Sequence, residues 1–130
     1  MSNVIQLSHH RKDPEKEWES FLIESADYLI GEWETAMRKN CLNEFFRTYA
    51  YRANDRNYTS DLNAISSLEN DYSLGLINYA PFSLSNHQTG WISAFKVFDK
   101  SVHTPEFISE AQARCFALLL FLRLKTFVSR

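Results

Sequence analysis

The sequence predicts an all-α protein, a compact bundle of about five helices with a central C-terminal helix and one long polar loop. Two of the four common turn-forming residues are scarce, since the 130 residues include only three glycines and three prolines, whereas sheet sandwiches and barrels need frequent turns. Apolar residues also recur at helical spacing along most of the chain. They make up 45% of it, which is ample for the core of a single domain of this length.

An arm and a long amphipathic helix are expected at the N-terminus. Residues 1–12 lack periodicity, so we expect a flexible arm there and one all-α domain over residues 13–130. Asp13 suits an N-cap and Pro14 the first helical position, and the first helix is therefore predicted from Pro14 to Arg38. Its apolar face consists of Trp18, Leu22, Leu29, Trp33, Ala36 and Met37.

Two shorter helices and a long connection follow. Asn40 can cap a second helix that fades near Asn54, and Ser60 can cap a third. From Glu69 to Gly90 the apolar pattern weakens and Asn and Ser are frequent. This predicts a long irregular connection that contains one more short helix or an extended segment. Connections of this length often carry function.

The segment WISAFKVF, residues 91–98, fits two structures. A strand would place Trp91, Ser93 and Phe95 on one face, which is poor alternation of apolar and polar residues. A helix would place on one face the side chains of Trp91, Phe95, Phe98 and Val102, which follow one another at spacings of four, three and four residues. The helix is the better match, and it is the fourth of the five predicted helices.

The last helix is predicted from Pro105 to Val128, with Thr104 as its cap. Its uncharged run from Cys115 to Leu122 spans eight residues, far short of the about 20 apolar residues that cross a bilayer, so no membrane anchor is expected. Helical geometry gives this helix two apolar faces separated by narrow polar stripes. That pattern is typical of a central helix that is packed on both sides.

An alternative for this helix is that one apolar face packs in the core and the other on a partner protein or a second subunit. Leu119 falls on a polar stripe beside Arg123 and fits simple core packing least well. The candidate interface on the last helix comprises Phe116, Leu119, Leu120, Arg123, Leu124 and Phe127.

Motifs for catalysis, metal binding and cofactor binding are missing from the sequence. The four histidines are not spaced as metal ligands, and neither cysteine belongs to a CxxC pair. No GxSxG elbow, phosphate-binding loop or GxGxxG turn occurs, and Cys115 lies in an apolar run that predicts a raised thiol pKa. We therefore expect a non-enzyme without metal or cofactor. The N-terminus has no secretory signal pattern, which favours the cytoplasm.

A basic and aromatic segment is the second candidate site. Arginines and tyrosines alternate between positions 47 and 58, and such residues are favoured both in protein–protein hot spots and in stacking on single-stranded nucleic acid. The net charge of −2 gives no bulk attraction to nucleic acid. The candidate partner-binding residues, here called the Arg/Tyr patch, are Arg47, Tyr51, Arg52, Arg56 and Tyr58.

These features predict a small non-enzymatic regulator, adaptor or inhibitor that binds another protein, or a second copy of itself as a homodimer, through helix faces and the Arg/Tyr patch. In its general character, short, helical and without catalytic motifs, the chain resembles the accessory and inhibitor proteins of phages and mobile elements. This likeness of type transfers no residue. The alternative is a nucleic-acid-binding protein that uses the basic and aromatic segment from Arg47 to Arg56.

Overall fold

The protein is a mixed structure of helices and strands, and the all-α prediction is wrong. The computed structural model describes residues 4–5, 17–50, 53–54, 56–72, 79–86, 90–97 and 100–128. Within these residues four α-helices pack with a four-stranded sheet. The elements in chain order are β1 (Val4–Ile5), α1 (Glu17–Arg38), α2 (Leu42–Tyr49), α3 (Leu62–Glu69), β2 (Phe82–Asn86), β3 (Gly90–Val97), β4 (Lys100–His103) and α4 (Glu110–Val128).

The sheet has the strand order β1-β4-β3-β2. β2, β3 and β4 are antiparallel neighbours, and the two residues of β1 pair in parallel with β4. β1 comes from the segment predicted as a flexible arm, most of which lies outside the described residues. β2 lies within the stretch predicted as a long polar loop, which also contains a 3₁₀ turn at Asn70–Tyr72. Strand pairing therefore orders part of both segments that looked irregular in the sequence.

β3 occupies most of the segment WISAFKVF, for which the helix prediction is wrong. Ser93, Ala94 and Phe95 are all fully buried, so both faces of the strand are covered at this point. A strand in this position loses the alternation of apolar and polar residues that identifies half-buried strands. The spacing of four and three residues between the aromatic side chains therefore does not indicate a helix here, because the strand carries apolar residues on both of its faces.

The turn between α1 and α2 ends the first helix rather than capping the second. Asn40 adopts a left-handed conformation with φ 56°, and the Cys41 N–H donates to the Ala36 carbonyl oxygen at 2.9 Å. Together with the bond from the Asn40 N–H to the Met37 carbonyl oxygen at 3.1 Å, this hydrogen bond forms a Schellman motif. The left-handed position of that motif is usually occupied by glycine and sometimes by asparagine. α2 then begins without a side-chain cap.

The third helix starts close to its predicted position. Asp61, rather than Ser60, is the N-cap, and its carboxylate accepts a hydrogen bond from the Ala64 N–H at 3.2 Å. A carboxylate at this position also interacts favourably with the positive end of the helix dipole. The helix is where it was predicted, with its cap shifted by one residue.

α4 begins later than predicted because its expected cap is used elsewhere. Thr104 Oγ1 accepts a hydrogen bond from the Ser93 N–H at 3.0 Å and donates to the Pro105 carbonyl oxygen at 2.8 Å. The N-cap is instead Ser109, whose Oγ accepts from the Gln112 N–H at 3.1 Å. Residues 105–108 consequently remain outside the helix.

The core lies around α4, which contacts β2 and β3 as well as α1, α2 and α3. Phe121 packs against Phe95 and Tyr79, with ring centroids 6.0 and 4.5 Å away, and Phe116 packs against Trp33 at 5.5 Å. The apolar surface of the last helix is thus covered by a sheet as well as by helices. No helix in the described part of the chain is long and apolar enough to cross a membrane.

Candidate functional site

A cleft of about 350 Å³ lies between α1 and the segment that leads into α4. Its residues on α1 are spaced by three, one and three positions, so they form one stripe of the helix surface. The volume is at the lower end of the roughly 300–1,000 Å³ typical of ligand pockets. The lining residues are Ile30, Trp33, Glu34, Met37, Pro105, Glu106, Phe107, Ile108 and Gln112.

The floor of the cleft is formed by Trp33 and Phe107, which belong to a larger aromatic cluster. The ring of Trp33 lies 5.1 Å from that of Phe107, 5.5 Å from that of Phe116 and 6.3 Å from that of Phe45, centroid to centroid. Phe107 and Phe116 are themselves 5.1 Å apart. Tilted and edge-to-face ring pairs of this kind add about 0.5–1.5 kcal/mol each beyond area burial. The cluster therefore holds the floor in place before any ligand binds.

The wall opposite α1 is joined to the sheet by backbone hydrogen bonds. The Trp91 N–H donates to the Phe107 carbonyl oxygen at 2.7 Å, and the Phe107 N–H donates to the Trp91 carbonyl oxygen at 2.8 Å. Gly90, next to this bridge, has φ 139° and lies so close that a Cβ there would be 2.1 Å from the Phe107 carbonyl oxygen. The absence of a side chain at Gly90 therefore allows the wall to approach the sheet.

The rim combines exposed apolar side chains with carboxylates. Ile108 is 78% exposed and Met37 is 46% exposed, although both line the cleft. Glu34 on α1 and Glu106 on the opposite wall are also exposed, and neither has an ion-pair partner among the described residues. Among the described residues, the lining contains no lysine, arginine or histidine. The cleft is therefore apolar inside and acidic at its edge.

Trp33, which lines the cleft, carries a buried polar group, the Nε1–H of its indole. Trp33 is 2% exposed, and its Nε1–H has no acceptor within the part of the chain that the structure describes. A buried N–H without an acceptor costs about 1–3 kcal/mol, so it is a group that an incoming hydrogen-bond acceptor would stabilise.

Part of the cleft could have been predicted from the sequence. Trp33 and Met37 belong to the predicted apolar face of the first helix, but Phe107 and Ile108 were assigned to the first turns of the last helix. The pattern Ser-x-x-Gln from Ser109 to Gln112 fits the start of a helix. That signal would have placed the helix start after Ile108 and left an apolar pair outside it.

Arg47 and Arg56, the two described arginines of the Arg/Tyr patch, are engaged by the chain's own groups. Arg47 donates to the Arg56 carbonyl oxygen at 3.3 Å and forms an ion pair with Glu44 at 3.7 Å. Arg56 forms an ion pair with Asp61 at 3.9 Å. Because these pairs are partly exposed, each contributes only about 0–1 kcal/mol, but they reduce the positive charge that the patch presents.

The tyrosines of the patch do not form an exposed stacking surface in the described residues. Tyr58 is 2% exposed, its ring packs against Phe46 at 5.5 Å, and its hydroxyl donates to Asn54 Oδ1 at 2.9 Å. Tyr51 and Arg52 lie outside the described residues. The structure thus brings Arg47 and Arg56 together and places Tyr58 in the core.

The described side chains of the candidate interface on α4 are packed by the chain itself. Arg123 Nε donates to Ser25 Oγ at 3.5 Å, and its guanidinium lies 5.4 Å from the ring centroid of Phe21. The side chain of Phe127 lies outside the described part of the protein. The members that are at most 1% exposed are Phe116, Leu119, Leu120 and Leu124. Core packing accounts for these four residues, which leave no exposed surface for a partner.

Arg114 and Glu69 form a buried ion pair that the sequence did not reveal. Arg114 Nε and Nη2 donate to the two carboxylate oxygens of Glu69 at 2.8 and 2.6 Å, and the two side chains are 16% and 5% exposed. Arg114 Nη1 also donates to Ser83 Oγ at 3.1 Å, so the pair joins α3, α4 and β2. Burial raises the pKa of Glu69, against the opposing effect of the Arg114 guanidinium.

Two further groups beside this pair are held in their neutral forms. Burial raises the pKa of the Tyr79 hydroxyl well above its usual value, and the nearby Glu69 carboxylate acts in the same direction. Burial likewise raises the pKa of the Cys115 thiol well above its usual value, as its apolar setting predicted. A neutral buried thiol is a poor nucleophile, so this cluster resembles structural cores rather than catalytic clefts.

No metal-binding group of His, Cys, Asp or Glu side chains occurs among the described residues. Comparisons with protein-family models, with curated proteins and with solved structures found no match. The cleft beside α1 combines a preformed concavity with exposed apolar side chains at its rim. It is therefore the candidate functional site.

Proposed function

We propose that the protein is a small non-enzymatic regulator, adaptor or inhibitor that binds another protein by holding an apolar side chain of that partner in the cleft. The observation that carries this proposal is Ile108, a large apolar side chain that is 78% exposed on the rim of a cleft with an aromatic floor. Exposed apolar surface next to a concavity is characteristic of binding sites.

Two large exposed apolar side chains lie at the cleft, which favours a protein over a small molecule as the ligand. Met37 and Ile108 line the cleft and remain 46% and 78% exposed. A protein segment can place one side chain in the cleft and cover both rim residues with its backbone and neighbouring side chains. Interfaces of this kind depend on a few central anchors surrounded by contacts that exclude water.

The Arg/Tyr patch gives less support, both for protein binding and for the nucleic-acid alternative. Its described arginines are paired with Glu44 and Asp61, and Tyr58 is buried. Single-stranded nucleic acid needs exposed rings and a positive groove. We therefore propose the cleft, rather than the patch, as the binding site.

The size of the expected effect follows from the exposure of Ile108. Complete burial of an isoleucine side chain contributes roughly 1.5–3 kcal/mol. Because Ile108 is 78% exposed, its burial by a partner should contribute about 1–2 kcal/mol, which corresponds to about a 10-fold change in dissociation constant.

A peptide selection with matched variants tests the proposal. Random 12-residue peptides displayed on phage would be selected on the wild-type protein and measured by fluorescence anisotropy. We expect Ile108→Glu to weaken their binding at least 10-fold, whereas Leu84→Glu, which changes a 42% exposed leucine on β2, should leave it within about twofold. Thermal melts of both variants check that the fold is intact.

Two results would refute the proposal. One is that no peptide is enriched over a selection on an unrelated protein. The other is that the enriched peptides bind the Ile108→Glu and wild-type proteins equally well.

A further inference from the structure

The chemistry of the cleft restricts which protein segment it can hold. We propose that the ligand is a short segment with a bulky aliphatic side chain next to a lysine or arginine, and that one of its backbone carbonyl oxygens accepts a hydrogen bond from Trp33 Nε1–H. This inference rests on the proposed function and specifies the partner of the same site.

The aliphatic anchor follows from the volume and the lining. A cleft of about 350 Å³ has room for one or two side chains but not for a whole helix, whose diameter with side chains is about 10–12 Å. The interior surfaces come from Ile30, Trp33, Met37 and Phe107. An apolar side chain that enters this space removes both its own surface and that of the lining from water.

The lysine or arginine next to the aliphatic anchor is inferred from the charges at the edge of the cleft. Glu34 and Glu106 stand on opposite walls, and both are exposed without an ion-pair partner in the described residues. Arg38, one turn after Glu34 on α1, donates to Thr35 Oγ1 at 3.2 Å and is not part of the lining. In the described lining a bound segment therefore meets two carboxylates and no cation, which favours a basic segment and disfavours an acidic one.

The backbone acceptor follows from the indole of Trp33. Its Nε1–H is buried and lacks an acceptor in the described part of the protein, while the residue itself lines the cleft. An apolar ligand alone would leave this donor unsatisfied. A peptide carries a carbonyl oxygen at every residue, and a small outward shift of the indole on binding would bring its N–H to one of them.

The test uses three blocked pentapeptides as probes. The basic probe has leucine between two lysines, the acidic probe has leucine between two glutamates, and the polar probe has serine between two lysines, with alanine at both ends. Binding would be measured by two-dimensional ¹H–¹⁵N NMR at 50 mM salt, following the indole N–H signals. The signal of Trp33 is assigned from its loss in Trp33→Phe.

We expect the basic probe to bind at least ~10-fold tighter than the acidic and the polar probe, since both charge and apolar burial contribute. The Trp33 indole signal should move downfield with the basic probe, as hydrogen-bonded N–H protons do. In Glu34→Gln/Glu106→Gln the preference for the basic over the acidic probe should fall at least ~5-fold. Asp27→Asn, an exposed acid of α1 that does not line the cleft, should preserve that preference.

Trp33→Phe tests the hydrogen bond. The substitution keeps an aromatic ring on the floor and removes a donor that has no acceptor in the free protein's described residues. Because phenylalanine is smaller than the indole that packs against Phe45, Phe107 and Phe116, it leaves a cavity and should lower the melting temperature. At a temperature where both proteins are folded, the basic probe should bind about 2- to 10-fold more weakly to Trp33→Phe than to the wild type through the lost hydrogen bond. Equal affinity, or a wild-type Trp33 indole signal that does not move downfield with the basic probe, would overturn the hydrogen-bond part of the inference.

Further outcomes would overturn the inference without touching the proposed function. If the selected peptides depend on Ile108 but are neutral or acidic, the cleft binds proteins of a different chemistry. The same holds if the basic and acidic probes bind equally. A concentration-dependent shift of the Trp33 signal without any probe would identify a second copy of the chain as the occupant. Conversely, loss of all dependence on Ile108 refutes the proposed function itself.

Discussion

Replacement of Gly90 by alanine should disconnect the cleft wall from the sheet. A Cβ at this position would lie 2.1 Å from the Phe107 carbonyl oxygen and 3.1 Å from the carbonyl carbon. Contacts below 3.0 Å essentially never occur for a real Cβ, so the backbone of Phe107 must move by about 1 Å. The backbone at Gly90 also has φ 139°, a conformation that alanine rarely adopts.

The energetic cost can be worked out from these two effects. Movement of Phe107 weakens the hydrogen bonds of 2.7 and 2.8 Å that join it to Trp91, each worth about 0.5–1.5 kcal/mol. A strained backbone conformation costs a further roughly 1–3 kcal/mol. Together they lower the free energy of unfolding by about 4 kcal/mol, a large share of the roughly 5–15 kcal/mol typical of a domain.

The assay is a thermal and urea melt of Gly90→Ala against the wild type. With an unfolding entropy of about 2.1 cal/mol/K per residue, a loss of about 4 kcal/mol lowers the melting temperature by ~15 °C. Gly31→Ala is the matched control, because a Cβ added at Gly31 would have no other atom within 4 Å. Since Gly31 lies inside α1, alanine there should stabilise the protein by about 0.5–1 kcal/mol.

The two glycines must respond in opposite directions. A melting temperature for Gly90→Ala within about 3 °C of the wild type, or equal shifts for the two variants, would show that Phe107 does not approach the sheet this closely. The wall of the cleft would then be placed wrongly, and the binding proposal would lose its geometry.

The buried pair of Glu69 and Arg114 leads to two predictions. Arg114→Leu should destabilise the protein by about 3–5 kcal/mol because it leaves the buried Glu69 carboxylate without its guanidinium partner. Glu69→Leu/Arg114→Leu should cost less than the sum of the two single leucine variants, and additive costs in a double-mutant cycle of urea melts would contradict the pair. The second concerns pH: burial raises the pKa of folded Glu69 above its ordinary 4.5, so the folded state binds the Glu69 proton more tightly than the unfolded state does. The stability of the wild type relative to Glu69→Gln should therefore fall as pH rises from about 4.5 through the raised value, and a rise measured by urea melts across this interval would show that the attraction of Arg114 outweighs burial.

The sequence predicted single elements better than it predicted their partners. The apolar stripes of α1 and α4 are periodic over many turns, so both helices follow from local spacing alone. The segment of β3 could not be recognised in the same way, because Ser93, Ala94 and Phe95 are buried in succession. Burial on both faces removes the alternation on which a strand prediction depends, and that burial is known only when the sheet and α4 are in place.

The ion pair shows the same limit for charged residues. Arg114 falls on a polar stripe of the last helix, and such stripes usually face water. Its partner Glu69 is 45 residues away in sequence, and no local pattern connects them. Helical geometry can place a charge on a face, but whether the face meets solvent or an opposite charge is decided by the packing of α3 against α4.

The cleft exists because a tertiary pairing prevailed over a local helix signal. Pro105 and Glu106 suit the first turn of a helix, yet Thr104 and Phe107 hydrogen-bond to β3 instead. The helix starts only after Ile108, whose side chain then remains 78% exposed. A side chain so exposed contributes little to folding, so the fold itself does not require an isoleucine there. A substitution at Ile108 that abolishes binding while the melting temperature stays constant would therefore show that this side chain serves binding and not the stability of the fold.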